Sequence, residues 1–358
     1  MPRIEPFKGV LYNQEKVRIS DVVAPPYDII PPAMQTELYR AQAHNIVRLI
    51  LGKEEPGDSK DKNKYTMAKD FFNNWIKEGI LIQDKSPAFY VYSQEYGQQG
   101  ERKTSWGFIA RMKIEDSAAN RVLPHENTFA KPKQDRLNLI REVRANLSPI
   151  FTLFEDEGGR IGRMLKGAFK KRPVVDVKKE GIRHKLWRFT DKAAISAIQN
   201  FMRDKDIFIA DGHHRFEVAR IYREEMSKKR GHRSSVIGHK KNRGYDYVMT
   251  YFSPMDEEVQ TILATHRLIK EVKIDKEGLL KKLEACFNIE VLDSDKALFK
   301  KMASAKDNEC RLGMYFRNGP FYLLKLKKDA DLNSVIKEEK SPEWKRLDVS
   351  ILHGIIFD

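Results

Sequence analysis

The residue types best suited to chemistry stand together in the segment Asp211-Gly-His-His-Arg215. The apolar run 207–210 before this segment predicts a short buried strand. After it, apolar residues recur at helical spacing and predict a helix; they are Val218, Ala219, Tyr222 and Met226. A strand, a glycine turn and a helix start together present free backbone N–H groups and the positive end of a helix dipole. We therefore expect this turn to bind an anion such as a phosphate.

Each residue of the turn has a predicted role in such a site. Gly212 lets the backbone approach the phosphate. The three residues after it supply hydrogen-bond donors and positive charge; they are His213, His214 and Arg215. Asp211 can bind Mg²⁺ or accept a proton. The alternative is that Asp211 only caps the helix and that the other side chains face water.

A second group of ionisable residues lies between His125 and Arg136. His125 and Glu126 are adjacent and can supply a general base, or Glu126 can bind a hard metal ion with His125 as a neighbouring donor. Lys131 and Arg136 can balance the charge of a phosphate. The alternative is a solvated loop that runs into a helix with surface ion pairs.

Two further positions give weaker support to a phosphate site. The prolines of Pro25-Pro26-Tyr27-Asp28 restrict the backbone and hold Asp28 in one conformation. Arg267 follows His266 and could add a positive charge, although a surface location is the better explanation of such a pair.

The elements that must position these residues follow from the hydrophobic pattern. Helices are predicted at 33–42, 65–77, 136–144, 193–202 and 279–287. Strands are predicted at 7–12, 45–51, 88–94, 104–114, 150–154, 174–177, 183–189, 245–252, 290–292, 310–316 and 321–326. Because the strands group in hairpins with helices between the groups, the pattern favours an α+β fold over a doubly wound parallel sheet. We predict a core α+β domain at 1–253 and a smaller C-terminal α+β unit at 254–358.

Length and composition restrict the class of protein. A chain of 358 residues, 41% of them hydrophobic, is long enough for about two globular domains. Cys286 and Cys310 form no CxxC pair, which argues against a disulfide framework and a zinc-thiolate site. The sequence contains no signal-peptide run and no apolar run of membrane length, so we expect a cytoplasmic protein without a membrane partner. The motifs of P-loop, dinucleotide-binding, zinc-protease and serine-hydrolase sites are also missing.

The net charge of +15 raises the question of a nucleic-acid partner. The most basic stretch, 228–243, contains no acidic residue and also no aromatic residue that could stack on bases. This composition favours a solvated loop over a polyanion-binding arm. Nucleic acid is therefore an open but not a favoured partner.

The motifs taken together resemble the family called domain of unknown function 1015. The matching segments run in order along nearly the whole chain: Ala24-Pro-Pro-Tyr-Asp28, Leu123-Pro-His-Glu126, Lys131-Pro, Asp135-Arg-Leu137, Ala145-Asn-Leu-Ser-Pro-Ile150, Ile209-Ala-Asp-Gly-His-His-Arg215 and Thr265-His-Arg267. The segment Asp211–Arg215 is in turn similar to the phosphate-binding box of the ParB and sulfiredoxin superfamily, which includes free serine kinases.

The resemblance implies a fold and a role for the turn. In that superfamily a Gly-x-x-Arg turn at a helix start contacts nucleotide phosphates, which implies this role for Gly212 to Arg215. The implied fold is a ParB/sulfiredoxin-like nucleotide-binding core with mixed and antiparallel sheets flanked by helices. His213 stands where sulfiredoxin has a cysteine, so sulfinic-acid repair is not expected. Relatives extend some tens of residues past 347–353, so we expect a C-terminus truncated relative to the family.

Together these inferences predict a small-molecule kinase. It would transfer a phosphoryl group from ATP or ADP, with CTP as a further candidate, to a hydroxyl such as that of free serine. Mg²⁺ would be held by Asp211 and Glu126, and His125 would assist catalysis. Other residues would contact the nucleotide; besides the turn they are Lys131, Arg136, Arg267 and Asp28. Two alternatives stay open, a non-catalytic nucleotide-gated switch and a nucleic-acid-associated ParB-like protein, and the sequence does not indicate an oligomeric state.

Overall fold

The structure is a computed structural model that describes residues 2–98, 100–115, 122–123, 130–231, 243–256, 259–261, 266–270, 275–306 and 309–357. The chain divides into two compact units, Met1–Leu263 and Ala264–Asp358. The sequence pattern placed the division ten residues earlier, after residue 253.

The first unit contains most of the regular structure. Its strands are β1 Ile4–Glu5, β2 Val10–Tyr12, β3 Leu81–Gln83, β4 Phe89–Gln98, β5 Glu101–Lys113, β6 Val122–Leu123, β7 Ile150–Phe154, β8 Val175–Lys179, β9 Ile182–Phe189, β10 Ile207–Asp211 and β11 Tyr247–Pro254. Its helices are α1 Ile19–Val22, α2 Pro32–Ala41, α3 Val47–Ile50, α4 Lys64–Lys77, α5 Ala130–Val143, α6 Arg160–Phe169, α7 Lys192–Met202 and α8 His213–Gly231.

One mixed sheet organises this unit. Among the described residues its order is β6-β10-β7-β11-β5-β4-β9-β8, with β1 also paired to β5. The pairs β10–β6 and β11–β7 are parallel, whereas the other pairs are antiparallel. Strands β2 and β3 form a separate small ribbon. The predicted class, an α+β fold with mixed and antiparallel pairing and flanking helices, is confirmed.

The main hydrophobic core lies on one face of the sheet. Alternate residues of its central strands are fully buried there, including Phe108 of β5, Ile150 of β7 and Phe252 of β11. This alternation is what a strand with one buried face requires. Asp191 caps the start of helix α7, since its side chain accepts from Ala194 N. Helices α6, α7 and α8 contribute apolar residues to the same core.

The predicted strand at 45–51 is wrong, because residues 47–50 form helix α3. The apolar run there is too short for its period to distinguish a helix from a strand. Asn45 decides the outcome: its side chain accepts from Val47 N at 3.0 Å, and its amide donates to the Asp21 and Val23 carbonyls. A buried asparagine that satisfies several backbone groups favours a turn over an extended strand.

The second unit is a small α+β structure. Its elements are α9 Lys276–Leu283, β12 Phe287–Leu292, α10 Asp295–Ala303, β13 Arg311–Tyr315, β14 Phe321–Leu326, α11 Leu332–Val335, α12 Pro342–Lys345 and α13 Asp348–Ile351, followed by a π-helical turn at Leu352–Phe357. The three strands form an antiparallel sheet in the order β12-β14-β13. Cys286 and Cys310 are free and lie buried in its core.

Candidate functional site

The segment Asp211–Arg215 forms the strand, glycine turn and helix start that its sequence predicts. Strand β10 ends at Asp211 and helix α8 begins at His213. Gly212 between them has φ +94°, a conformation that favours glycine. A Cβ atom at this position would lie 3.0 Å from Ile150 Cγ2 and 3.1 Å from Arg215 Cζ. Glycine is therefore required here by both the backbone conformation and the close packing.

The guanidinium of Arg215 is held by two hydrogen bonds. Nη1 donates to the carbonyl of Pro149, and Nη2 donates to the carboxylate of Asp211. These bonds use two of the five N–H groups of the arginine and fix its plane. The pair with Asp211 spans one turn, and the Asp211 side chain is 58% exposed. The turn thus carries a fixed positive charge beside a carboxylate that water can reach.

The two histidines at the start of α8 differ in their surroundings. His213 is buried, with only 4% of its surface exposed, and His214 is half-buried. The alternative in which all these side chains face water is therefore wrong for His213. In the same first turn of α8, Phe216 N donates to Gly212 O at 2.9 Å and the Phe216 ring enters the main core.

A narrow cleft lies beside the turn. It has a volume of about 60 Å³, and its polar and aromatic lining residues are Tyr27, Arg136, Asn146, Ser148 and Arg215. Four separate stretches of sequence meet there. A volume of this size holds a few water molecules, which is the room that one phosphate group needs and much less than a whole nucleotide needs.

Arg136 supplies a second fixed positive charge to the cleft. Its Nε donates to Asp135 Oδ2 at 2.8 Å and its Nη1 to Ile50 O at 2.7 Å. The ring of Tyr27 lies against the guanidinium, with its centroid 4.0 Å from Cζ, which is a cation–π contact. Burial raises the pKa of the Tyr27 hydroxyl, so this ring stays uncharged.

Asp135 anchors Arg136 to the neighbouring helix. Besides Arg136, it accepts from Tyr65 Oη at 2.9 Å and from Lys64 Nζ at 2.8 Å. Burial alone would raise the pKa of Asp135, but Arg136 and these hydrogen bonds outweigh burial and hold the pKa below its usual value. Asp135 is therefore ionised at neutral pH and compensates part of the positive charge of the cleft.

The loop between α5 and β7 closes the cleft on a third side. Arg144 follows the end of α5 with φ +56°, and its N–H donates to Ile140 O at 2.9 Å. A left-handed residue after a helix reverses the chain, and the residues that follow, Asn146 and Ser148, line the cleft. Our candidate site residues did not include these two or Asp135, although all three belong to the matching motifs.

Among the described residues, the other predicted site residues do not line this cleft. His125 and Glu126 lie outside the described residues. Lys131 lies in the first turn of α5, Asp28 is exposed in the 3₁₀ turn Tyr27–Ile29, and the exposed Arg267 belongs to the second unit. Within the described ranges, no three His, Cys, Asp or Glu side chains are grouped to hold a metal ion. The metal site of Asp211 and Glu126 stays a prediction.

The protein is therefore a mixed α+β protein with a strand, a glycine turn and a helix start, and its cleft is lined by two fixed arginines, Arg136 of α5 and Arg215 of α8. The chain belongs to the family described as "Protein of unknown function (DUF1015)", whose sequence model matches residues 4–350. No curated protein and no solved structure shows a significant match. None of the described helices is both long and apolar enough to cross a membrane. The family resemblance is thus confirmed, while the ParB/sulfiredoxin likeness stays a prediction.

Proposed function

We propose that this protein is a nucleotide-dependent small-molecule kinase that holds a phosphate of ATP or ADP at the Gly212 turn. The observation that carries the proposal is that two fixed guanidinium groups, Arg136 and Arg215, the latter from the Gly212 turn, line one cleft of phosphate size. Arginine forks and backbone N–H groups are the donors that bind phosphate most strongly. A ParB/sulfiredoxin-like nucleotide-binding core is part of this proposal.

The proposed reaction transfers a phosphoryl group to a hydroxyl of a small acceptor such as free serine. The acceptor oxygen forms a bond to phosphorus, the bond from phosphorus to the leaving phosphate oxygen breaks, and the hydroxyl proton passes to a carboxylate, Glu126 or Asp211. Catalysis of this kind depends on positive charges held in place before the reaction, which Arg215 and Arg136 supply.

Mg²⁺ is the metal ion that this chemistry uses, and Asp211 fits it in part. A carboxylate oxygen is the preferred ligand of Mg²⁺, and the exposed carboxylate of Asp211 leaves space for the water molecules that Mg²⁺ retains. Glu126 is the second proposed ligand. When bound, Mg²⁺ would neutralise charge on the phosphates.

The experiment compares the variant Arg215→Ala with the control variant Arg220→Ala. Arg220 is an exposed arginine on the same helix, and among its described contacts it is paired only with Glu217. Wild-type protein is screened by thermal shift with ATP, ADP, CTP and GTP, with and without Mg²⁺. A nucleotide at 100 times its Kd stabilises the fold by about 2.7 kcal/mol. We expect Arg215→Ala to abolish this stabilisation and Arg220→Ala to retain it. If Arg215→Ala binds nucleotide as tightly as wild type, the assignment of the turn is wrong.

A second candidate function, a nucleotide-gated switch, is favoured by the Asp211–Arg215 pair. An arriving phosphate competes with the Asp211 carboxylate for Arg215, so ligand binding would release Asp211 from the helix start. Glu126→Gln separates the two functions. If the protein is a kinase, Glu126→Gln still binds nucleotide but loses turnover, which is measured as phosphorylated acceptor. If it is a switch, Glu126→Gln keeps the full nucleotide response, and the wild-type protein also shows no turnover.

A further inference from the structure

Four aromatic side chains form a continuous stripe across the central sheet, which we call the aromatic stripe. It consists of Phe151 on β7, Tyr251 on β11, Tyr92 on β4 and His184 on β9. The ring centroids are 5.3 Å apart for Phe151 and Tyr251, 5.7 Å for Tyr251 and Tyr92, and 6.1 Å for Tyr92 and His184. All four side chains are partly exposed.

The aromatic stripe lies on the face of the sheet opposite the main core. Its members alternate along their strands with core residues such as Ile150, Phe252 and Val91, and successive strand residues point to opposite faces. Strand β5 crosses the stripe at Gly107, the strand partner of Tyr92. A Cβ atom at Gly107 would lie 2.6 Å from Tyr251 Cε2, so only glycine lets the Tyr251 ring lie across β5.

One end of the aromatic stripe lies next to the Gly212 turn. Phe151 is the strand partner of Asp211 on one side and of Tyr251 on the other. Neighbouring strands are about 5 Å apart, so two strand spacings separate Asp211 from Tyr251. In a nucleotide whose phosphate lies at Gly212, the sugar spans a comparable distance between the phosphate and the base. The base of a nucleotide bound in this way would extend towards the Phe151 and Tyr251 rings.

The other end of the aromatic stripe is uncharged and internally hydrogen-bonded. Gln94 Nε2 donates to Tyr92 Oη at 3.0 Å, and Tyr92 Oη lies 2.7 Å from His184 Nδ1. Tyr92 Oη therefore links Gln94 and His184 in one hydrogen-bonded chain. Burial lowers the pKa of His184, which favours the neutral ring. Four neutral rings suit a planar uncharged group.

From this placement we infer that the aromatic stripe is a subsite for the base of a nucleotide whose phosphates lie at the Gly212 turn. The inference rests on the proposed function and adds the location of the base. The cleft is too small for a whole nucleotide, so the remainder of the ligand must lie outside it, and the aromatic stripe begins at Phe151, the strand partner of Asp211.

The experiment measures the affinities of two probes, ADP and inorganic pyrophosphate, by calorimetry. Wild-type protein is compared with Phe151→Leu, Tyr92→Leu and the control Tyr315→Leu, which changes an exposed tyrosine of the second unit. Loss of one stacking ring weakens base binding roughly tenfold. We expect Phe151→Leu to weaken the binding of ADP by this factor and to leave the affinity for pyrophosphate unchanged. Tyr92→Leu should cause a smaller loss of ADP affinity.

The outcomes separate this inference from the proposed function. Unchanged ADP affinity in Phe151→Leu, or equal weakening of its affinities for ADP and pyrophosphate, overturns the base subsite. Binding of pyrophosphate by wild type still supports the proposed phosphate site. Failure of wild type to bind either probe overturns the proposed function. A second measurement does not depend on variants: ring stacking shifts the adenine protons of bound ADP upfield in the NMR spectrum more than the ribose protons, and equal shifts contradict the inference.

Discussion

Gly212 shows how a single residue can be required by both its own backbone and its neighbours. Its positive φ excludes most side chains, and the nearest heavy atoms to a Cβ belong to Ile150 and Arg215. Ile150 is fixed in the core, and Arg215 is fixed by Pro149 and Asp211. An added methyl group would therefore displace the guanidinium that we assign to phosphate binding.

We predict that Gly212→Ala destabilises the protein more than Gly181→Ala. Both glycines have positive φ, so both substitutions carry a strain of about 1–2 kcal/mol. At Gly181 a Cβ meets no atom within 4 Å, whereas at Gly212 crowding adds about 1–3 kcal/mol. Urea unfolding measures the difference. Equal losses of unfolding free energy in the two variants would show that packing around Gly212 adds nothing to the cost of the substitution.

At the scale of elements, helices α4 and α5 present Arg136 to the cleft through Asp135. The carboxylate joins Lys64 and Tyr65 of α4 to Arg136 of α5. A second ion pair, Lys69 to Glu142 at 2.8 Å, joins the same helices at their surface. Partly buried, multiply bonded carboxylates stabilise a fold more than exposed pairs do.

We predict that Asp135→Asn lowers the free energy of unfolding by about 2 kcal/mol at pH 7, and that Glu142→Gln changes it by less than about 0.5 kcal/mol. The pKa of Asp135 is lowered in the folded state, so its contribution is present above the unfolded pKa and is lost as the pH falls through the folded value. Denaturant unfolding at several pH values should show the gap between wild type and Asp135→Asn closing in acid. A gap that widens in acid contradicts the assignment.

At the scale of the whole molecule, the two faces of the central sheet differ in burial. One face carries the main core, including the fully buried Phe108. The other face carries the partly exposed aromatic stripe next to the Gly212 turn. We therefore expect residues of the same type on this sheet to contribute differently to stability and, under the proposed function, to ligand binding.

This division predicts opposite results for two phenylalanine substitutions. Phe108→Ala removes a fully buried ring and should cost about 3–5 kcal/mol of stability. Phe151→Ala removes a partly exposed ring and should cost clearly less, while it weakens ADP binding. Chemical denaturation and calorimetry on both variants test the division. A loss for Phe151→Ala as large as that for Phe108→Ala would place Phe151 in the core.

The sequence was most informative where local pattern and structure coincide. The hairpin of β4 and β5, helix α7 and the strand, turn and helix around Gly212 were all predicted, because their side-chain periods and turn residues act over short distances. The strand predicted at 45–51 failed because Asn45 bonds to residues 21 and 23, which no local pattern reveals. The same limit applies to Asp135, whose partners on α4 are about 70 residues away.

By itself the sequence determined the glycine turn, the family and the candidate basic residues, since these follow from residue types at fixed spacing. Only the tertiary structure decided which of them meet. It brings Tyr27, Arg136 and Arg215 to one cleft and places Phe151 beside Asp211 through strand pairing. Contacts between residues far apart in the chain depend on sheet order and helix packing, which are set by burial of the whole core and not by any single segment.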